Sequence, residues 1–310
     1  MDFLFSPDGL RLVLKAAFGA VLFTLILWCA QSRHPRAAGM MLTFPAVNGI
    51  GLLTAEREGV FIMVQAMPPM IILNGLLCAA YILVQRRLTR RTAGIPPLAV
   101  RLGVLFLCLC LWLSVALLVA PRLHPYLASA ASMLALVGGY AISSIPVTTS
   151  MLWCPAVARG PGRLSFSQVL RTHALRISAV FGLIMLIMLV ARYASEAWAG
   201  RLSTLPVLPF YSLLVLSSRP APVPTAPSPL DQVGSTVLAG PLIAILFAWA
   251  YAHYLYAVRV TAPALLDTLL AVSGLLLLWG LCGLSIWGLL RWAQRLDSPP
   301  RPRALSQEPG

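Results

Sequence analysis

Apolar residues recur along the chain in runs of about 20, the length a helix needs to cross a hydrocarbon core about 30 Å thick. Polar or Pro-rich breaks divide them into nine segments, near 14–31, 38–54, 60–85, 98–120, 127–150, 174–193, 202–218, 236–258 and 263–290. The second and seventh are short and carry Pro45 and Pro206 or Pro209 in their interiors. Such segments are kinked or broken helices that cross, or re-entrant elements held inside the protein. Counted as crossing, they give nine transmembrane helices and an all-α polytopic membrane protein.

Composition agrees. The 310 residues are 59% apolar and 10% charged, whereas soluble domains carry roughly 25% charged residues. A net charge of +14 in a soluble chain would point to nucleic acid. Here the arginines lie scattered between apolar runs without the interleaved aromatics that stack bases, so no nucleic-acid partner is expected. The six cysteines show no zinc spacing and read as small packing residues. Asp2 and Asp8 precede Arg11 and Lys15, so the first run reads as a retained helix rather than a cleaved signal.

The basic residues set a direction. With nine crossings and a cytoplasmic C-terminus, sixteen of the 23 cations fall in inner loops and flanks and seven outside. Short cytoplasmic loops hold the excess of Lys and Arg in membrane proteins. The expected orientation therefore has the N-terminus external and the C-terminus cytoplasmic. The stretch Arg219–Val233 reads as a Pro-rich cytoplasmic spacer, and residues 293–310 as a disordered tail.

The two halves resemble each other. Residues 39–53 and 200–214 share five of fifteen positions at a constant offset of 161, including Gly39 and Gly200, Thr43 and Thr204, Pro45 and Pro206, and Leu53 and Leu214. A Gly opens the third helix of each half (Gly59, Gly234), and a proline opens the fourth (Pro97, Pro263). The organisation expected is a first four-helix unit (1–121), a linking helix and loop (122–172), a second four-helix unit (173–292) and the tail. Because five crossings separate the unit starts, the second unit is inverted relative to the first. Many secondary transporters are built this way, with interrupted helices at the midplane site.

The residues Leu12-Val-Leu-Lys15-Ala-Ala-Phe-Gly19-Ala, Ala38-Gly39, Phe44-Pro45, Glu56-Arg57-Glu58-Gly59 and Pro68-Pro69 carry a further likeness. Over Leu12 to Val84 the chain resembles the GlpM-type small bacterial inner-membrane proteins, which look like one four-helix unit standing alone. The resemblance implies a fused pair of such units and an inner-membrane location. It supplies no catalytic residues.

Candidate chemistry is sparse. Proline removes a backbone donor, so the breaks at Thr43–Pro45 and Thr204–Pro206 free carbonyls to bind something polar, unless the Thr hydroxyls satisfy that backbone themselves. Asn48 adds an amide to the first break, and Gln65 and Asn74 flank Pro68-Pro69 either as substrate ligands or as interhelical glue. Tyr140, Ser143 and Ser144 begin a polar stripe on the fifth segment, a pathway lining or a packing face. Arg101 and Asp267 each follow a helix-opening proline by four residues and are candidates for gating or coupling, near opposite faces. His253 sits among Trp249, Tyr251, Tyr254 and Tyr256, which read as an interfacial aromatic belt.

No protease, hydrolase or P-loop signature occurs, so no enzyme, cofactor or metal is expected. The expected function is a permease or secondary-transporter-like protein moving a small solute or lipid across the bilayer. The alternative is a non-transporting scaffold or accessory subunit in envelope biogenesis. A homodimer is compatible with either.

Overall fold

The computed structural model describes residues 51–53, 55, 58–92, 96–123, 130–152, 166–193, 195–206, 240–261 and 264–296, with isolated positions at 13, 16, 17, 20, 21, 24, 49, 209, 210, 213, 214, 217, 230, 233, 237 and 238. Among the described residues the ordered elements are helices, without strands. The first, α1 (Gly59–Ala66), bends at Met67 into α2 (Pro68–Thr92). Pro68 and Pro69 lack N–H groups, yet in the first turn of a helix those donors have no intrahelical partner anyway. The chain therefore resumes at once, with the Ile71 N–H donating to the Met67 carbonyl at 2.9 Å. The expected span 60–85 is thus helical but articulated at its prolines.

Pro97, in extended conformation, precedes α3 (Leu98–Ser114), which runs on through a π-helical turn at Val115–Val119 to Leu123. Then come α4 (Ala130–Leu152), α5 (Phe166–Tyr193), α6 (Glu196–Ser203), α7 (Gly240–Thr261) and α8 (Ala264–Leu296). Three stretches among the described residues are long and apolar enough to cross a membrane: Gly59–Thr89, Leu98–Leu123 and Gly240–Thr261. Shorter apolar helices lie at Ala131–Ser144 and Leu269–Ser285. On α3, Leu102, Phe106 and Leu107 are 46%, 65% and 68% exposed. An apolar surface of that kind suits lipid better than water.

The segment 202–218 departs from a continuous helix. α6 ends at Ser203, Thr204–Pro206 form a turn, and helical positions recur from 209. Segments 14–31 and 38–54 lie largely outside the described residues, as do Thr43, Pro45, Asn48, most of 219–233 and the tail 297–310.

Two buried cores hold the helices together, and both draw on both halves of the sequence. In one, Leu52, Leu53, Val60, Met63 and Met67 pack with Phe247, Tyr251, Leu255 and Leu275 from α7 and α8. In the other, Tyr81, Ile82, Cys108 and Trp112 from α2 and α3 pack with Phe210, Leu213, Val233 and Val237. Leu52 and Leu53 thus pack against α7 and α8, while Phe210 and Leu213 pack against α2 and α3. Close approach at Gly51 follows, since a methyl added there would stand 2.9 Å from Ser203 Cβ and 3.1 Å from Met63 Cε. Gly200 in turn lies directly on the Met63 carbonyl.

Candidate functional site

The break at Thr204–Pro206 is set up by α6. Ser195 caps this helix, its Oγ accepting from the Trp198 N–H at 3.2 Å, which satisfies one of the donors that a helix start leaves without a partner. At the other end the Thr204 and Leu205 N–H groups donate to Arg201 and Leu202 carbonyls, both at 3.0 Å. The Thr204 hydroxyl turns back as well, donating to the Arg201 carbonyl at 2.6 Å. That is the self-satisfying role that a threonine beside a proline break allows. The Thr204 carbonyl, however, points away from its own helix and accepts from Nδ2 of Asn74 on α2.

Asn74 and Thr204 are both buried, at 8% and 3% exposure. The second amide atom, Asn74 Oδ1, is buried without a hydrogen-bond partner. So is Arg201 Nε, although the Arg201 guanidinium lies over the Trp198 ring at 5.0 Å. The break thus has one acceptor and one donor to offer. Gln65 is half-buried on α1 and makes no hydrogen bond to Asn74 or Thr204, so the structure unites two of the predicted ligands rather than three. Pro206 is buried at the turn, where its carbonyl accepts from the Phe210 N–H at 3.0 Å.

Arg101 and Asp267 are apart in role as well as in sequence. Arg101, 8% exposed near the start of α3, donates from Nη1 to the Leu214 carbonyl and to Ser217 Oγ, each at 3.4 Å. Asp267 is half-buried in the first turn of α8, with Oδ1 buried and without a hydrogen bond.

Arg259, absent from the predicted set, does in the other half what Arg101 does here. It closes α7 and donates from Nη2 to the Leu53 carbonyl at 3.1 Å, and from Nη1 to the Ala55 carbonyl. Leu53 and Leu214 are the repeat-related residues, 161 apart. Each carbonyl is therefore met by an arginine from the other half of the sequence, although Arg101 stands near the start of α3 and Arg259 near the end of α7. Charge-assisted bonds of this type hold an otherwise orphaned helix end.

The hydroxyl stripe of α4 packs inward at Tyr140 and Ser144, which are buried, while Ser143 is exposed. Tyr140 donates to the Leu238 carbonyl at 2.8 Å, and Ser143 and Ser144 donate to carbonyls of their own helix at 3.0 and 2.9 Å. The aromatic group of α7 divides in two. His253 and Tyr256 face outward and meet the Phe61 ring, each at 5.2 Å between centroids. Tyr251 and Tyr254 face inward and donate to the Ala271 and Leu270 carbonyls at 2.8 and 2.7 Å. A helical period of 3.6 carries residues 251 and 253 to different faces, so an unbroken cluster in sequence is not one in space.

Compared with protein families, curated proteins and solved structures, the chain matches none of them.

Proposed function

We propose that this chain is a multi-pass inner-membrane permease, moving a small solute or lipid, built from two four-helix units in inverted repeat and joined by the 127–150 helix. The observation that carries the reading is the exchange of arginines: Arg101 to the Leu214 carbonyl and Arg259 to the Leu53 carbonyl. The acceptors Leu53 and Leu214 are matched by the offset of 161, and a pseudo-two-fold relation brings each into the other half; the two arginines are not matched by it, since Arg101 follows Pro97 and Arg259 precedes Pro263. Two units related in that way have two packings of similar energy, open to opposite faces. The reading includes nine crossings, an external N-terminus and a cytoplasmic C-terminus. It also keeps the kinship with GlpM-type proteins and Thr43, Pro45 and Asn48 as partners of Thr204, Pro206 and Asn74 at the substrate site.

One observation favours the alternative, a scaffold or accessory subunit of envelope biogenesis: Thr204 is buried with its hydroxyl and carbonyl both engaged inside the protein. Two-sided labelling separates the readings. Thr204→Cys and Pro206→Cys, each in a background without the six native cysteines, are exposed to an impermeant maleimide from either face of oriented vesicles. A permease labels from both faces. Labelling from neither face, or from one alone, overturns the proposal.

A further inference from the structure

Arg201, three residues before the Thr204 break, carries a buried positive charge. It is 5% exposed, and its Nε is buried without a hydrogen-bond partner. The described residues include three acids, Glu58, Glu196 and Asp267, and none of these forms an ion pair with Arg201. Glu196 lies on the same helix, yet its carboxyl stands against Gly59 of α1. Five residues, at 3.6 to the turn, carry Arg201 about 140° round α6 from Glu196. The contact that the guanidinium does make is with the Trp198 ring, at 5.0 Å. A ring attracts a cation, but it returns only a small part of the cost of burying a charge unpaired. Packing alone would place an apolar residue at such a position.

The arginine is also held in place from both sides. Ser195 Oγ accepts from the Trp198 N–H at 3.2 Å, which fixes the turn of α6 that carries the ring. The Thr204 N–H and hydroxyl both donate to the Arg201 carbonyl, at 3.0 and 2.6 Å. Gly200, directly before Arg201, lies on the Met63 carbonyl and seats α6 closely on α1. Backbone and ring are thus set before any ligand arrives, which lowers the ordering cost of binding one. A guanidinium presents its donors in a planar fork matched to phosphate oxygens, and it stacks on aromatic faces without losing that fork. Arg201 stands between the apolar runs 174–193 and 202–218 rather than within either. Chain between two crossings meets the headgroup region, where phosphate is the abundant oxyanion.

We propose that Arg201, set on the Trp198 ring, is a binding site for a phosphate group. The guanidinium supplies the charge and the fork, and Trp198 holds its plane. The phosphate belongs either to a lipid headgroup or to a free anion. The site does not require that the chain transports, so it stands or falls apart from the permease reading.

The test uses the full chain and two probes. Radiolabelled inorganic phosphate is titrated against protein in a neutral detergent. Nanodiscs of phosphatidylcholine with about one lipid in five replaced by phosphatidylglycerol supply the headgroup, with retained lipid read by native mass spectrometry. The site predicts binding in at least one arm, weakened at least tenfold by Arg201→Met. Binding in the first arm identifies a free anion, and retention in the second alone identifies a lipid. Arg201→Lys keeps the charge and loses the fork, so it binds more weakly than wild type, and it carries the test if Arg201→Met does not fold. Absence of binding in both arms, or binding by the folded variant equal to that of wild type, overturns the proposal.

Discussion

Asn74 on α2 donates its amide to the carbonyl of Thr204, a residue 130 positions away in the other half of the chain. The bond ties the proline-articulated pair α1 and α2 to the proline break that follows α6. It also fixes the direction in which the carbonyl at that break faces.

Replacing Asn74 tests this tie by rank order. Asn74→Leu removes the donor and leaves the Thr204 carbonyl buried without it, a loss of about 1–3 kcal/mol. Asn74→Asp sets a carboxylate oxygen against a carbonyl oxygen in a buried place and is the more damaging of the two. Thermal unfolding in detergent checks the order: wild type above Asn74→Leu, and Asn74→Leu above Asn74→Asp.

Glycines separate close approach from open space. A methyl at Gly200 meets the Met63 backbone carbonyl, whereas one at Gly103 meets nothing within 4 Å. Gly200→Ala forces α6 from α1 and costs about 1–3 kcal/mol, as overpacking does. Gly103→Ala is neutral or gains up to about 1 kcal/mol, because alanine loses less freedom in a helix. Melting temperatures of the two variants move in these opposite senses.

Much of the helical architecture was legible because a lipid-crossing helix must be apolar along its length. Segment 98–120 corresponds to the structure's Leu98–Leu123, and Pro97 marks its start as read. Helix ends beyond the apolar stretch were not legible: α5 begins at Phe166 and α8 runs to Leu296, outside the runs 174–193 and 263–290. Apolarity marks only the part that suits hydrocarbon. Of the site, the Thr204–Pro206 break and Asn74 were legible as polar or proline interruptions. Arg259 was not, because a guanidinium bound to a carbonyl leaves no periodic mark and a terminal-turn arginine looks like a loop cation. The signal that pointed nearest was the pairing of Leu53 with Leu214 by the offset of 161.

Arg259 offers its fork to two carbonyls, those of Leu53 and Ala55. A lysine ammonium is a point charge and does not reproduce that geometry. Arg259→Lys therefore loses about 1.5–3 kcal/mol, the range of hydrogen bonds to a charged group, and Arg259→Met at least as much. Denaturation in mixed detergent compares the three proteins.

The inversion of the two units is the central claim, and the sidedness of matched positions tests it most directly. Arg91 and Thr261 lie at the ends of α2 and α7, and Arg163 follows α4 in the sequence. Reporter fusions after Arg91 and after Arg163 should read cytoplasmic, and a fusion after Thr261 should read external. Arg91 and Thr261 reading on the same side of the membrane would contradict the inverted repeat.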